Sequence, residues 1–383
     1  MPGSILVARL LGIDIRIHLS WFLIFGLVLL SLSDRVLPSL RPSWSDQKTL
    51  IVAAIAALLF FMSVLAHELA HAVVARAFKM PVSSITLFLL GGVANLAKEP
   101  PSARAEFLMA IAGPATSLLI GGAGLGVAEL AGGITSRFAV LDPVEVVASY
   151  LGFINVALAA FNMVPGFPLD GGRVFRSIVW GAIHDRSRAT RLAARGGQAV
   201  AAGLFLYGIW RAFAQGDSFG GVWMGMIAYF LYNAASSSLE QENVAAAVSG
   251  VRVGSLMTLQ FSAAHPRSSI AELVEVHLLP HNARAVAVVD GSRLVGIVTI
   301  ADLRKVPQSE WGTTPVERVM RPASDLPSVS PGSRLITAIE RFGASDLPVL
   351  PVIEDDTLVG MLEREAVGSY VRMREMLGLD SRR

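Results

Sequence analysis

The sequence predicts a polytopic α-helical membrane protein with about six transmembrane helices and a small membrane-associated β-hairpin, followed by a soluble α/β domain. Three observations support this class. Hydrophobic residues make up 53% of the chain and charged residues only 16%, which is far from the averages of soluble domains. Long apolar runs recur up to about residue 240. Beyond that point the composition is that of a soluble domain, and the sequence repeats itself.

Six apolar runs have the length expected of membrane-spanning helices. The first and fifth are short, which predicts tilted helices or a thin bilayer around them. The runs occupy residues 19–32, 50–74, 107–130, 146–169, 196–210 and 219–238. We therefore expect a membrane domain over residues 1–240 and a linker over residues 241–252.

The positive charges predict how the spans are oriented, because cytoplasmic loops carry an excess of Lys and Arg. With the N-terminus inside, twelve such residues fall on the cytoplasmic side and five on the other. The cytoplasmic group is Arg9, Arg16, Arg76, Lys79, Lys98, Arg104, Arg173, Arg176, Arg186, Arg188, Arg191 and Arg195. The opposite group is Arg35, Arg41, Lys48, Arg137 and Arg211. The sequence thus predicts a multi-pass protein of the cell membrane with both termini in the cytoplasm.

The second apolar run contains the pentad His67-Glu68-Leu69-Ala70-His71. On a helix, His67 and His71 share one face, where two imidazoles can bind a single Zn²⁺. Glu68 lies beside that position and is placed to take a proton from a zinc-bound water. Residues 50–66 carry no charge, so a solvated helix face does not explain the pentad. Ionisable groups inside a membrane segment indicate function.

The composition narrows the choice of partners and ligands. The chain has no cysteine, which excludes disulfides, cysteine zinc sites and thiol catalysis. The net charge is only +2, so nothing indicates a nucleic-acid partner. A third zinc ligand must therefore come from His, Asp or Glu.

Asp170 is the best candidate for that third ligand. The predicted orientation makes the second and fourth spans run in the same direction, so His67, His71 and Asp170 reach a similar depth. Pro165 and Pro168 interrupt the helix before Asp170, and irregular backbone inside a membrane is tolerated where it lines a cavity. The simpler alternative is a helix-end carboxylate near Arg173, and the nearby histidine pair favours the ligand.

The pentad in a membrane span, followed by the motif NMVPGFPLDGG at residues 162–172, resembles the site-2 protease family of intramembrane zinc metalloproteases. The resemblance covers nearly the whole chain. It implies that His67, His71 and Asp170 bind one Zn²⁺ per chain and that Glu68 is the catalytic base. It also implies a transmembrane protein substrate, cut near the cytoplasmic face, and a role for Asn162 in substrate positioning or oxyanion stabilisation.

Residues 84–90 and 93–96 can form two short strands around Gly91 and Gly92. In the family this region resembles, a membrane-associated sheet is expected, and an extended substrate could add to its edge. The alternative is a buried hairpin that only packs. Asn95 either contacts substrate or caps the turn. Gly113-Pro114 in the third span indicates close helix packing and a kink first, and support of the site second.

The soluble region contains a repeat with an offset of about 64 residues. One unit ends at residues 294–302 and the next at residues 358–366. The repeat resembles a tandem CBS pair, predicted here as residues 253–310 and 311–383, a module that often binds adenine nucleotides and can form homodimers. The motif of that family falls on Gly296, Thr299 and Asp302. The second repeat has Glu363 and Ala366 instead, so at most one cleft is predicted to bind a nucleotide.

Two functions remain open at this stage. The first is an intramembrane metalloprotease that its CBS pair regulates. The second is a CBS-regulated channel or transporter whose polar residues line an ion path. The second leaves the ordered zinc-ligand motifs without a role, so the sequence favours the protease. The CBS pair itself is either a sensor or a purely structural module.

Overall fold

The computed structural model describes residues 3–89, 91–96, 99–135 and 139–377, and of residues 94–96, 135, 139 and 375 it describes the backbone alone. The chain divides into two compact units, Met1–Glu240 and Gln241–Arg383. The first unit is dominated by long helices and the second by short strands with helices between them.

Eight α-helices begin in the described part of the first unit. They are α1 (Leu19–Ser31), α2 (Leu37–Leu40), α3 (Asp46–Ala77), α4 (Ala103–Thr135), α5 (Asp142–Asn162), α6 (Asp170–Ile183), α7 (Arg186–Ala214) and α8 (Ser218–Ala247). A π-helical turn over Leu32–Val36 makes α1 and α2 nearly continuous. Several of these helices exceed the length of about 20 residues that a bilayer requires.

Four helices in the described part of the chain are long and apolar enough to cross a membrane. They are Leu19–Leu40, Asp46–Ala77, Ala103–Ile134 and Asp142–Asn162. These correspond to the first four of the six predicted spans. The predicted fifth and sixth spans lie within α7 and α8, which do not reach the same hydropathy. The first turns of α7 carry Arg186, Arg188 and Arg191, and the C-terminal part of α8 is polar.

A four-stranded sheet lies against α3. Its strands are β1 (Ser4–Leu10), β2 (Ile13–His18), β3 (Val82–Phe88) and β4 (Gly91–Leu96), in that order across the sheet. The outer pairs are antiparallel and β2 is parallel to β3, with Ile15 opposite Ile85. Both isoleucines are buried with Ala72 and Ala75 of α3. The predicted hairpin is therefore present as β3 and β4, whereas the two N-terminal strands were not predicted.

Glycines bring α4 and α5 into close contact. A methyl group built on Gly124 would lie 2.9 Å from the carbonyl oxygen of Ala148, and one on Gly121 would lie 3.1 Å from the backbone nitrogen of Val156. The first distance is shorter than side chains tolerate and the second is tighter than most side-chain contacts, so the backbones approach directly. The close packing expected of this glycine-rich span is confirmed at these two positions. Gly122, in contrast, faces open space.

The chain leaves the helical conformation between α5 and α6. Helix α5 ends at Asn162, before the apolar run ends at residue 169, and the interruption predicted from Pro165 and Pro168 is present. The next helix begins directly at Asp170. The backbone N–H of Phe167 donates to the carbonyl of Ala193 in α7 over 3.2 Å. This turn, residues 163–169, therefore rests on α7.

The second unit contains two similar halves. Its elements are β5 (Ala263–Ala264), α9 (Ile270–Glu272), β6 (Ala285–Asp290), β7 (Arg293–Thr299), α10 (Ile300–Leu303), β8 (Arg321–Pro322), α11 (Leu335–Gly343), β9 (Val349–Glu354), β10 (Thr357–Glu363) and α12 (Arg364–Met376). The antiparallel pairs β6–β7 and β9–β10 begin 64 residues apart, at Ala285 and Val349. The offset of the predicted repeat is thus confirmed in the strands.

Candidate metal centre

Helix α3 places two histidines on one face inside an apolar segment. His67 and His71 are four residues apart, which on a helix brings their side chains together. Their ring centroids are 4.9 Å apart and the rings are nearly perpendicular. His67 is buried, with 3% of its surface exposed. His71 is partly buried, and two imidazoles in a helix that can cross a membrane need polar partners.

Asp170, the first residue of α6, meets this pair. Its Oδ2 atom lies 3.1 Å from Nε2 of His67 and 3.2 Å from Nε2 of His71. Candidate ligand atoms from these three residues all lie within 4.8 Å of one another. The structure therefore brings together the three side chains that the sequence singled out from two distant segments.

The donor set fits zinc. Neutral imidazole nitrogen and carboxylate oxygen are ordinary Zn²⁺ ligands with bonds of about 2.0–2.1 Å, so two ligand atoms on a tetrahedral ion lie about 3.3 Å apart. The nitrogen–oxygen separations of 3.1 and 3.2 Å are close to that spacing. Three protein ligands leave one tetrahedral position for water or substrate, as catalytic zinc sites require.

The outer nitrogen of each imidazole is held by α4. Nδ1 of His71 donates to the carbonyl oxygen of Met109 over 2.7 Å, and Nδ1 of His67 lies 2.8 Å from the hydroxyl oxygen of Ser117. Because a carbonyl only accepts, Nδ1 of a neutral His71 carries the proton and the lone pair is on Nε2, which faces Asp170. The Ser117 hydroxyl supports the same tautomer of His67 when it accepts from Nδ1. Neither contact was predicted. The sequence signal for these contacts is the eight-residue spacing, which places Met109 and Ser117 on one face of α4.

Gly113 lies between these two contacts on the same face of α4. A methyl group built there would lie within 3.0 Å of the Nε2 atoms of both His67 and His71, closer than side chains approach. Only glycine leaves room for the histidine pair. The sequence left two roles open for Gly113-Pro114, helix packing with a kink and support of the site. The structure places Gly113 beside the two histidines, as the second role requires.

Glu68 follows His67 directly and points towards the sheet. It is half-buried, and a methyl group built on Gly92 of β4 would lie within 3.0 Å of its Cγ and Cδ atoms. Strand β4 therefore passes directly over the Glu68 side chain. Gly92 allows this approach, which the sequence did not predict.

Two asparagines were predicted to position substrate. Asn162 is half-buried at the C-terminal end of α5, eight residues before Asp170. Asn95 belongs to β4, but its side chain lies outside the described residues. The structure thus places Asn162 at the end of α5, directly before the turn of residues 163–169 that leads to Asp170.

In the second unit, two of the three residues predicted to bind a nucleotide, Thr299 and Asp302, contact each other. Thr299 caps α10, and its hydroxyl donates to Oδ2 of Asp302 over 2.6 Å. Asp302 is 2% exposed and pairs with Lys305 and Arg321. Burial raises the pKa of Asp302, but the hydrogen bonds from Thr299 and Lys305 outweigh it and hold the pKa below its usual value.

Gly296 lets the next strand approach this region. A methyl group on Gly296 would lie 2.6 Å from the carbonyl oxygen of Arg321 in β8. Arg321 also pairs with Asp346. Asp302, Lys305, Arg321, Arg341 and Asp346 line a cleft of about 730 Å³.

Comparisons with known families and proteins agree with these features. The model of peptidase family M50 matches residues 55–204, and the model of the CBS domain matches residues 253–309 and 316–370. A Mycobacterium tuberculosis protein named as the zinc metalloprotease Rip3 is 35% identical over 97% of this chain and 93% of its own. A Synechocystis protein named as the zinc metalloprotease sll0528 is 31% identical over 96% and 95%.

Among solved structures, the site-2 protease from Methanocaldococcus jannaschii is 26% identical, with a TM-score of 0.42, and the match covers 62% of this chain and 95% of that one. The chain belongs to peptidase family M50, the site-2 protease family of zinc metalloproteases, and carries a tandem CBS pair. It is a site-2-type metalloprotease with apolar helices that can cross a membrane.

Proposed function

We propose that this protein is an intramembrane protease that cuts a transmembrane segment of a membrane protein near the cytoplasmic face. His67, His71 and Asp170 are its ligands for one Zn²⁺ per chain, and Glu68 is its catalytic base. The observation that carries this proposal is the convergence of two Nε2 atoms and Oδ2 of Asp170 within 4.8 Å, on and beside a helix that can cross a membrane.

The chemistry proposed for the site is hydrolysis of a peptide bond. Zinc bound there supplies a Lewis acid, which lowers the pKa of a bound water to about 7 and polarises a carbonyl. A carboxylate oxygen of Glu68 takes a proton from the attacking water and returns it to the amide nitrogen as the C–N bond breaks. Asn162 and Asn95 are proposed to hold the substrate backbone or the developing oxyanion.

Strand β4 is the proposed place for an extended substrate. It is the last strand in the order β1-β2-β3-β4, so its outer edge has no neighbouring strand among the described residues. A substrate strand added there would have its backbone hydrogen bonds satisfied in the membrane, next to Glu68. A helical substrate hides its carbonyl groups, so we propose that it unwinds before it is cut.

Six membrane spans with both termini in the cytoplasm are proposed for this chain. Beyond the four apolar helices, α7 and α8 expose many large apolar side chains. Examples are Phe205, Leu206, Trp210 and Phe213 of α7, and Phe219, Val222 and Tyr229 of α8, each at least half exposed. Lipid explains these faces better than water does.

The CBS pair is proposed to sense an adenine nucleotide through Gly296, Thr299 and Asp302, and to regulate cleavage. Support comes from the cleft of about 730 Å³ beside Asp302 and from its cationic residues Lys305, Arg321 and Arg341, which suit phosphate groups. A homodimer formed through this pair is part of the same proposal.

The test of the catalytic proposal compares two variants of the full chain with the wild type. Glu68→Gln should keep about one zinc per chain and lose cleavage, because it removes the base and no ligand. Asp170→Ala should lose both zinc and cleavage, since two histidines leave the metal under-coordinated. Metal analysis of purified protein and cleavage of a reconstituted transmembrane substrate give the two readouts.

Near wild-type cleavage by Glu68→Gln would contradict the mechanism. A full zinc content in Asp170→Ala would show that another group is the third ligand. The Glu68→Gln variant also offers a way to trap and identify bound substrates.

A further inference from the structure

A buried ion pair joins α4, which contacts the two histidines, to α6, which begins with Asp170. Glu106, in the first turn of α4, is fully buried, and Arg176 of α6 is 12% exposed. Nε of Arg176 donates to Oε1 of Glu106 over 2.8 Å, and Nη2 donates to the same oxygen. Charged groups buried this deeply are expensive, and a buried pair seldom stabilises more than apolar residues of the same size. Its presence therefore calls for a role other than stability.

The position of Glu106 on α4 indicates what that role is. Glu106, Met109, Gly113 and Ser117 follow one another at spacings of three, four and four residues, which defines a single helix face. Met109 and Ser117 hold the two histidine rings, and Gly113 leaves space for both. The face that orients His67 and His71 thus ends at Glu106.

Arg176 is connected to Asp170 and to the turn that precedes it. It lies on the same helix as Asp170, six residues later, and its guanidinium carbon is 5.0 Å from the ring centroid of Phe167. Phe167 belongs to the turn that leads into Asp170, and its backbone N–H is bound to α7. Arg176 also reaches the hydroxyl of Thr190 in α7 over 3.5 Å. One guanidinium therefore contacts α4, α7 and the turn before Asp170.

We propose that Glu106 and Arg176 are positioning residues of the metal centre. Their ion pair holds α6, and with it Asp170, in register with the face of α4 that orients the two histidines. This inference rests on the proposed assignment of His67, His71 and Asp170 as zinc ligands. It extends that assignment to two residues that touch neither the ligands nor the reacting atoms.

The test measures zinc affinity and folding separately. Full-length protein in detergent is stripped of metal and titrated with zinc against a chelating indicator. Melting temperatures of the metal-free and zinc-loaded protein are recorded in parallel, because a ligand raises the melting temperature only by binding the folded state. The variants are Glu106→Gln, Arg176→Lys and the double variant.

The chain supplies a matched control in a second ion pair of the same unit. Arg41 and Asp142 pair over 2.6 Å with side chains 31% and 18% exposed, and Trp44 also donates to Asp142. Asp142 begins α5, whose 21 residues place it about 30 Å along the helix from Asn162. Asp142→Asn should therefore lower the melting temperature without changing zinc affinity.

Glu106→Gln and Arg176→Lys should each weaken zinc binding by about 10- to 100-fold, the range for groups that orient metal ligands. The zinc-induced rise in melting temperature should shrink accordingly. The double variant should bind zinc about as weakly as either single variant, since the two residues act as one unit. Asp142→Asn should bind zinc within about twofold of the wild type.

Two outcomes overturn the inference. One is zinc affinity within twofold of the wild type in both single variants. The other is an equal loss of affinity in Asp142→Asn, which would reduce the effect to general destabilisation. If Glu106→Gln does not fold, Arg176→Lys carries the test, because it keeps the cation and changes only its geometry. A wild-type chain that binds no zinc overturns the proposed function itself.

Discussion

The residues of the candidate metal centre differ in how well the sequence predicts them, and Gly113 is among the least predictable. The two histidines were predictable because their spacing is visible in the sequence and their apolar surroundings are unusual. Asp170 was predictable from the depth that the orientation of the spans gives it. Gly113, Met109 and Ser117 were not, because a glycine, a backbone carbonyl or a serine in an apolar helix has many ordinary packing roles.

Gly113→Ala tests the space beside the histidines. The added methyl group has to displace one or both imidazole rings, so we expect zinc content to fall by at least tenfold and cleavage to fall with it. Gly122→Ala on the same helix is the matched control, since a methyl group there meets no atom within 4 Å. Metal analysis of both purified variants decides the matter, and equal zinc contents would contradict the role assigned to Gly113.

Asp302→Asn tests the polar contacts at the start of α10. The pKa of Asp302 is lowered in the folded protein, so its carboxylate contributes stability above its usual pKa of about 3.9, and this contribution is lost as the pH falls through the lower folded value. The variant should therefore exchange the amide hydrogens of β6 and β7 faster than the wild type at pH 7. The difference should shrink towards pH 2.

Amide hydrogen exchange of the full chain, compared between wild type and variant at each pH, provides the measurement. A difference that stays constant or grows below pH 3 would contradict the charged contacts of Asp302. Ser324→Ala is a suitable control, because it changes an exposed hydroxyl that donates to its neighbour Asp325.

At the scale of whole elements, hydropathy predicted the four most apolar spans well and their ends less well. Helix α5 stops at Asn162 although the apolar run continues, because proline geometry overrides hydropathy. The strands β1 and β2 were missed even though their signal exists. Ile13, Ile15 and Ile17 alternate with Asp14 and Arg16, as a half-buried strand requires.

Helix α7 supports the turn before Asp170, and no sequence pattern predicts this contact. A methyl group on Gly197 would lie within 3.0 Å of the backbone nitrogen and oxygen of Phe167, and one on Gly166 would meet the backbone of Gly197 at 2.5 Å. The two backbones touch without any side chain between them. The turn therefore packs directly on α7.

Gly197→Ala should separate the turn from α7. Overpacking of this kind costs about 1–3 kcal/mol, so we expect a lower melting temperature together with weaker zinc binding, because Asp170 follows the turn directly. Gly203→Ala is the control on the same helix, since it faces open space. Thermal unfolding with and without zinc measures both effects, and a Gly197→Ala protein that matches the control in both would refute this support.

At the scale of the whole molecule, the sequence predicted the division into a membrane part and a repeated soluble part, because composition changes sharply near residue 240. The structure has two compact units, Met1–Glu240 and Gln241–Arg383. Composition says nothing about how one unit influences the other. That influence depends on contacts that differ between two states of the molecule, which neither apolar runs nor repeats encode.

The second unit is proposed to regulate cleavage. If the CBS pair senses adenine nucleotides and controls the protease, ATP, ADP or AMP at millimolar concentration should change the cleavage rate of the full chain by at least twofold.

A chain that ends at Glu240 should cleave at a rate that nucleotide does not alter. Both should contain the same amount of zinc, because the ligands lie in the first unit. Thr299→Val should remove the response in the full chain, since it deletes the hydroxyl of one of the residues proposed to bind the nucleotide. A full chain that responds to no nucleotide excludes sensing of this class. Regulation of any kind is excluded if the truncated chain, still folded and zinc-loaded, also cleaves at the rate of the full chain, and the CBS pair then has a structural role alone.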